Sequence, residues 1–426
     1  MTSLGDPSAV RKSVLPNGIR VLTEAVPQFT SATLGIWVEN GSAYESPELN
    51  GISHFLEHIF FKGTERRSAK EIAEAIDGVG GILNAFTGKE YTCYYAKVLR
   101  EDLPLALDVL SDLFLHSTFP EEEIERERGV ILSEILESED TPDDHIHVVF
   151  DRAFWPGHPL SLPITGTAQT VSGMKREHFL RFLSERYRPD RILICAAGAV
   201  DHDWLVAQIE KSFGHLAGST PPITTPEPAP KPAVSLIERD LEQVQMVLGV
   251  PGLRQTDDRR YAAYVMNTAL GGGMSSRLFQ EVREKRGKAY SISSFLASFR
   301  GTGYLAVSAG LGADSVVEVV EIVRDELQKL VRAGLDGGEL ARAKSQIKGT
   351  ILLSLESSES RMSRVAKNEM YFGRNVEPSE VADAITRVTH DDVVALAGAL
   401  FSGRMSVALL GDVGQVAIDD ALLSPA

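Results

Sequence analysis

The sequence predicts an α+β fold that is made of two copies of one domain. Three observations predict it. In the first half of the chain, groups of short strand-like runs are followed by longer helix-like runs. A proline-rich segment interrupts the chain at residues 219–233, and the pattern before that segment recurs after it. We therefore expect two homologous domains, each a mostly antiparallel sheet that is covered by helices.

The first predicted elements are strands. A hairpin that turns at Pro16-Asn17-Gly18 is predicted over residues 14–24, and the next strand is predicted over residues 32–39. Residues 68–79 predict a helix with Ser68 as its N-cap. The later elements of this half are two strands within 83–98, split at Gly88, and a helix that begins at Leu103. This order predicts a sheet with helices on one face.

The most informative stretch is residues 51–64, GISHFLEHIFFKGT. A helix here places His54 and His58 on one face, with Glu57 beside them. The rest of the helix is apolar, so these polar groups need compensation, and a bound cation supplies it. The order H-x-x-E-H is the signature of inverted zinc peptidases, in which the glutamate is the base. The alternative interpretation is a pair of core histidines that bond to backbone carbonyls.

A catalytic zinc ion needs a third protein ligand. A second helix is predicted over residues 121–138, where Pro120 and the acidic residues after it favour a helix start. Glu127 and Glu134 lie seven residues apart on this helix and therefore point the same way. On charge pattern alone, both glutamates are typical of a solvated acidic face. The pattern by itself does not assign the third ligand.

The chain resembles the M16 metallopeptidases, the family of pitrilysin, insulin-degrading enzyme and the mitochondrial processing peptidase. In that family, the H-x-x-E-H helix is completed by a glutamate on a later helix, with another glutamate seven residues before it. The separation of Glu134 from His58 matches the family's spacing. The resemblance implies that His54, His58 and Glu134 are the zinc ligands. It also implies that Glu57 is the catalytic base and that Glu127 orients a ligand histidine without binding the metal itself.

Two further motifs extend the resemblance to substrate binding. NAFTGKEYT at residues 84–92 resembles the family's substrate-binding edge strand, which implies that Asn84 and Ala85 bind the peptide. REKRGKAY at residues 283–290 resembles the segment through which the family's C-terminal domain contributes an arginine and a tyrosine. It implies the same role for Arg283 and Tyr290, although charge pattern alone makes Arg283 typical of a salt-bridged surface helix. Within the family, the length of the chain and the run LGGGMSSRLF at residues 270–279 most resemble the short bacterial processing-peptidase-like branch.

The predicted domains lie on either side of the proline-rich segment. Six prolines between Pro221 and Pro232 predict a stiff linker over residues 219–233. The first domain is expected over residues 1–218 and the second over 234–426. A constant offset aligns the two copies and pairs Phe86 with Phe299. Under this offset, the positions of the metal motif hold Asn267, Leu270 and Gly271 in the second copy. We therefore expect one zinc ion per chain.

Composition restricts the class of partner. The formal net charge of −16 argues against a nucleic-acid partner. The two cysteines exclude a disulfide framework and favour a reducing compartment. The sequence has no run of eighteen apolar residues, and its first residues do not resemble a signal peptide. We expect no membrane association and a cytoplasmic location.

These observations predict a zinc-dependent endopeptidase that hydrolyses peptides or unfolded polypeptide segments. The alternative is a non-catalytic or partner-dependent subunit of the same family. Long members of the family build a chamber from four such domains, and this chain is long enough for two. The resemblance therefore implies that two identical chains form a homodimer, with a heterodimer as the alternative.

Overall fold

A computed structural model of the chain describes residues 10–220 and 227–425. The predicted linker at 219–233 includes residues 221–226, which lie outside the described residues. One β-sheet is formed by strands that precede this segment in the sequence, and another by strands that follow it. Within the described ranges, no helix is both long enough and apolar enough to cross a membrane.

The first sheet has six strands in the order β1-β2-β6-β3-β5-β4. Its strands are β1 (Val10–Val14), β2 (Arg20–Ala25), β3 (Ser31–Val38), β4 (Ile82–Thr87), β5 (Thr92–Leu99) and β6 (Ile192–Gly198). All neighbours are antiparallel except β2 and β6. The predicted hairpin is confirmed as β1 and β2, and Gly18 in its turn has a φ of 97°, which a glycine adopts readily. Strand β4 is an edge of this sheet.

The second sheet has five strands in the order β7-β11-β8-β10-β9. Its strands are β7 (Val234–Glu238), β8 (Val244–Pro251), β9 (Ala289–Ser298), β10 (Gly303–Leu311) and β11 (Ser406–Gly411). Among these described strands, only β7 and β11 form a parallel pair. The predicted α+β fold with mostly antiparallel sheets is therefore confirmed.

Several helices of the first half match helices of the second half in order and spacing. The helices are α1 (Ile52–Phe60), α2 (Ala69–Asp77), α3 (Leu103–His116), α4 (Glu121–Asp140), α5 (Pro142–Phe154), α6 (Ala168–Gly173), α7 (Arg176–Arg186), α8 (His202–Phe213), α9 (Arg260–Gly271), α10 (Val316–Ala333), α11 (Gly337–Ser354), α12 (Ser358–Phe372), α13 (Pro378–Arg387) and α14 (His390–Leu400). The starts of α3 and α10 are separated by the same offset as Phe86 and Phe299, and the starts of α4 and α11 by a slightly larger one. The predicted internal repeat is therefore confirmed.

The chain forms two compact units, and each unit contains one helix from the half of the sequence that forms most of the other unit. The first unit comprises the chain up to Leu136, the stretch from Leu162 to the proline-rich segment, and Ser354–Val376. The second comprises Glu137–Ser161, the stretch from the proline-rich segment to Leu353, and the residues from Glu377 on. Helix α12 therefore packs on the first sheet, and α5 packs on the second. Both faces of each sheet are covered, whereas the sequence predicts helices on one face.

Helix α12 covers an apolar face of the first sheet. Trp37 and Cys93 of the sheet are fully buried against Met362 of the helix, and the Trp37 indole N–H donates to the Met362 sulfur at 3.0 Å. The buried Glu24 carboxylate pairs with the guanidinium groups of Arg361 and Arg364 at 2.7 and 2.9 Å. Burying either side chain of such a pair alone would be costly, so these contacts fix the position of α12 on the sheet.

Helix α1 is buried on the opposite face of the same sheet. Its apolar side chains are at most 1% exposed, and Phe60 contacts the rings of Tyr94 and Tyr187. Burial of each such side chain contributes about 1.5–3 kcal/mol. The helix begins after Gly51, whose φ is 95° and whose added Cβ would lie 2.7 Å from both Gly166 Cα and the Thr165 carbonyl oxygen. Position 51 therefore accepts only glycine without a shift of the backbone.

We expect Gly51→Ala to lower the free energy of unfolding by about 1–3 kcal/mol more than Gly80→Ala, because only the first adds an overpacking cost. Gly80 is the matched control, since it also has a positive φ, 66°, but a Cβ there would meet no atom within 4 Å. Denaturant unfolding followed by circular dichroism measures both. Equal losses in the two variants would show that the close approach at Gly51 has no energetic weight.

Candidate metal centre

Three side chains from two helices converge at one point of the first unit. His54 and His58 extend from α1, and Glu134 extends from α4. Glu134 Oε2 lies 3.7 Å from His54 Nε2 and 3.5 Å from His58 Nε2. Among the described residues, this is the one group of three or more histidine, cysteine, aspartate or glutamate residues whose ligand atoms lie close enough to hold a metal ion. The predicted trio is therefore brought together.

The geometry of the trio fits zinc. Zinc bonds of about 2.0–2.2 Å in a tetrahedral arrangement place ligand atoms roughly 3.3–3.6 Å apart, close to the observed separations. Burial, and then the charge of His58, lowers the pKa of His54 to about 4, so its imidazole is neutral and has a lone pair to offer at neutral pH. Glu134 has the most exposed side chain of the three, at 37%, which leaves one side of the centre open. Two nitrogens, one oxygen and an open side suit a catalytic rather than a structural zinc.

Glu57 is held apart from the trio by a different partner. The Thr87 hydroxyl, at the end of β4, donates a hydrogen bond of 2.6 Å to Glu57 Oε2. Burial raises the pKa of the Glu57 carboxyl, and the bond from Thr87 lowers it by a smaller amount. A carboxylate with a raised pKa next to a metal centre can accept a proton from water and return it. This arrangement is consistent with the base predicted for Glu57, and it adds Thr87 as a supporting residue.

Glu127 lies behind His58, on the side away from Glu134. Its carboxylate oxygen Oε2 lies 3.2 Å from His58 Nδ1, and the residue is 5% exposed. A proton on Nδ1 leaves the lone pair of Nε2 free for a metal, so this contact favours the ligating tautomer. The second oxygen of Glu127 lies 2.6 Å from Lys62 Nζ, a residue that the sequence patterns do not indicate.

A buried carboxylate also supports the start of the metal helix. Glu45, which is 4% exposed, accepts hydrogen bonds from the backbone N–H groups of Gly51 and Ser53 at 2.7 and 2.8 Å. Burial raises the pKa of Glu45 to about 7, although these bonds oppose the shift. An anion at a helix N-terminus is stabilising, and here it anchors the turn that carries His54. Sequence reasoning misses Glu45 because it lies in an irregular segment with no periodic pattern.

The predicted peptide-binding residues Asn84 and Ala85 lie on the edge strand β4. Asn84 is exposed, and its side-chain oxygen accepts the Ala85 N–H at 2.8 Å. The same strand ends at Thr87, which contacts Glu57. The structure therefore brings an edge strand next to the candidate base.

The predicted residues Arg283 and Tyr290 lie in the second unit. The Arg283 guanidinium carbon lies 4.9 Å from the centroid of the Phe279 ring and 5.8 Å from that of Tyr290, a residue that is 75% exposed. Arg283 is part of a π-helical turn, Phe279–Glu284. The two residues contact each other, and their role at the metal centre stays a prediction.

Two family models match the chain. One, described as Insulinase (Peptidase family M16), matches residues 20–168, which include the candidate metal centre. The other, described as Peptidase M16 inactive domain, matches residues 173–347. The first match thus contains the predicted ligands, and the second covers most of the predicted metal-free copy.

Relatives match over nearly the whole chain. An uncharacterized zinc protease of Streptomyces coelicolor is 44% identical, and the match covers 94% of this chain and 89% of that protein. The uncharacterized zinc protease YmxG of Bacillus subtilis is 40% identical, with 96% and 99% covered.

Solved structures share the fold. A protease from Helicobacter pylori has a TM-score of 0.88 at 21% identity, with 95% of this chain and 99% of that chain covered. A chain of complex III2 from Candida albicans has a TM-score of 0.85 at 20% identity, with 98% and 99% covered. At these identities, the likeness concerns the fold alone.

We expect the purified protein to bind one zinc ion per chain, and Glu134→Gln to weaken this binding by more than the roughly 10–100-fold that loss of an outer-shell partner costs. Competition with a zinc chelator measures the affinity. Glu137→Gln is the matched control, because Glu137 is an exposed residue on the same helix. Unchanged zinc affinity in Glu134→Gln would mean that the third ligand is another residue.

Proposed function

This chain belongs to peptidase family M16, and on that premise we propose that it is a zinc-dependent endopeptidase that hydrolyses peptides and unfolded polypeptide segments. The observation that carries the proposal is the trio of His54, His58 and Glu134, whose ligand atoms lie within 4.8 Å of one another beside a separate carboxylate, Glu57. Catalytic zinc sites combine three protein ligands with a neighbouring acid–base group. The relatives that are named zinc proteases support the choice of metal.

Peptide hydrolysis would need two contributions, one from the metal ion and one from Glu57. When bound, the zinc ion supplies Lewis-acid polarisation and lowers the pKa of water. Glu57 accepts the proton of the attacking water and then delivers it to the nitrogen of the leaving amine. Its raised pKa suits both steps, because a group that is too acidic holds a proton too weakly to carry it. The hydroxyl of Thr87 keeps one oxygen of Glu57 in place during this exchange.

The substrate is expected to bind as an added strand. Among the described strands, β4 pairs only with β5, so an extended peptide can pair with its other edge. The Ala85 N–H bonds to the Asn84 side chain, and a substrate carbonyl would replace that side chain. This mode of binding needs an extended backbone, which peptides and unfolded segments offer and folded domains do not.

Arg283 and Tyr290 are proposed to hold a substrate carbonyl or the negative charge that develops on it. Both are exposed, and a guanidinium beside a phenol offers several hydrogen-bond donors for such an oxygen.

The homodimer and the cytoplasmic location stay predictions. Sedimentation of the active enzyme tests the homodimer. A non-catalytic subunit is the less favoured alternative, because the proposed ligands and the proposed base are present together. The side chains that contact them, Thr87 at the base and Glu127 at His58, are present as well.

We expect Glu57→Gln to lower peptide turnover by at least about 10²-fold while zinc stays bound, because the change removes the base and no ligand. Hydrolysis of a fluorogenic peptide and the zinc content of the same sample measure this. Glu74→Gln, on α2, is the control for a glutamine substitution on the next helix along the chain. Loss of zinc would make Glu57 a ligand, and full activity would assign the base elsewhere.

Arg283→Ala and Tyr290→Phe should each reduce turnover without a change in zinc content, because neither residue belongs to the ligand trio. The control is Lys285→Ala, which removes a neighbouring exposed charge that pairs with Glu281 on the surface. Steady-state kinetics on one peptide compares the three variants. Wild-type kinetics in both test variants would remove this segment from the proposed site.

A further inference from the structure

The Glu127 carboxylate contacts a different group with each of its oxygens. Oε2 lies 3.2 Å from His58 Nδ1, and Oε1 lies 2.6 Å from Lys62 Nζ. The Glu127 side chain is 6% exposed and that of Lys62 is 29% exposed. The ammonium group is thus the charged partner of a carboxylate that water scarcely reaches.

We infer that Lys62 is a positioning residue for the metal centre, which holds Glu127 as the hydrogen-bond acceptor of His58 and thereby strengthens zinc binding. The inference rests on the proposed zinc site and deepens it, because Lys62 is neither a ligand nor the base and reaches the centre through Glu127.

Lys62 can hold Glu127 in place because the Glu127 carboxylate is buried and needs a charged partner. An ionised carboxylate is costly to bury without a partner. Without the ammonium group, the Glu127 carboxylate would turn toward water, and this change would remove its charge-assisted hydrogen bond to His58. That bond favours the tautomer in which His58 Nε2 has a free lone pair, and Nε2 is the atom 3.5 Å from Glu134 Oε2.

The other histidine ligand has no equivalent support among the described residues. His54 Nδ1 is buried, and the described part of the chain offers it no hydrogen-bond partner. The orienting effect of a carboxylate on Nδ1 therefore acts on His58 alone. Loss of the Lys62–Glu127 pair would leave the Nδ1 atoms of both imidazoles without an anionic partner.

A competing effect has the opposite sign. The zinc ion and the Lys62 ammonium group are both cations, so the ammonium group also repels the metal. If repulsion dominated, removal of Lys62 would tighten zinc binding. If positioning dominates, as we infer, its removal weakens zinc binding. The direction of the change separates the two effects.

The test is the zinc dissociation constant, measured by chelator competition in Lys62→Met and Lys62→Arg. We expect a rise of about 10–100-fold in Lys62→Met, the range for outer-shell partners, and near wild-type binding in Lys62→Arg, which keeps the charge. Lys70→Met is the matched control, because Lys70 pairs with Glu74 on the exposed surface of α2. An unchanged or lower dissociation constant in Lys62→Met would overturn the inference.

A double-variant cycle with Glu127→Gln tests the route of the effect. In the Glu127→Gln background, Lys62→Met should have little further effect on zinc binding, because no buried charge is left to hold. An equal loss in both backgrounds would overturn the inference. If Lys62→Met fails to fold, the double variant still tests the route, because it buries no unpaired charge: zinc binding clearly weaker than in Glu127→Gln alone would overturn the inference. A wild-type protein that binds no zinc would instead refute the proposed function.

Discussion

The metal helix α1 places two imidazoles and a carboxylate on a surface that is otherwise apolar, and burial of these polar groups is costly where no partner compensates them. Partners for the polar groups of α1 come from other segments of the chain. Glu45 accepts the backbone N–H groups at the start of the helix, Thr87 donates to Glu57, and the Lys62–Glu127 pair supports the second imidazole. The proposed zinc ion would complete the set on the open side.

The position of α1 in turn depends on a sheet that is covered on both faces. One face packs on α1, and the other packs on α12, a helix from the second half of the sequence. Without α12, the indole of Trp37 would lose its contact with Met362, and the carboxylate of Glu24 would lose its ion pairs with Arg361 and Arg364. The unit that bears the metal centre therefore includes residues from both halves of the sequence, although all the predicted ligands lie in the first half.

Local patterns predict the parts of this arrangement that lie close together in sequence. The spacing of His54 and His58 predicts the metal face of α1, and the repeat predicts the second sheet. The assignment of Glu134 needed the family resemblance, because a glutamate on an acidic helix has no local mark. Lys62, Glu45 and the exchange of α5 and α12 could not be predicted, because they depend on which surfaces meet in three dimensions. Periodicity shows that a helix has an apolar face but not which sheet that face covers.

The central claim is that two imidazole nitrogens and one carboxylate oxygen of this chain hold a zinc ion that stays open to water. X-ray absorption at the zinc edge of the loaded protein tests it most directly, because it reports the kind and distance of the bound atoms. The account predicts nitrogen and oxygen neighbours at about 2.0–2.2 Å, with two imidazole signatures and no sulfur. A sulfur neighbour at about 2.3 Å, or a third imidazole, would contradict it.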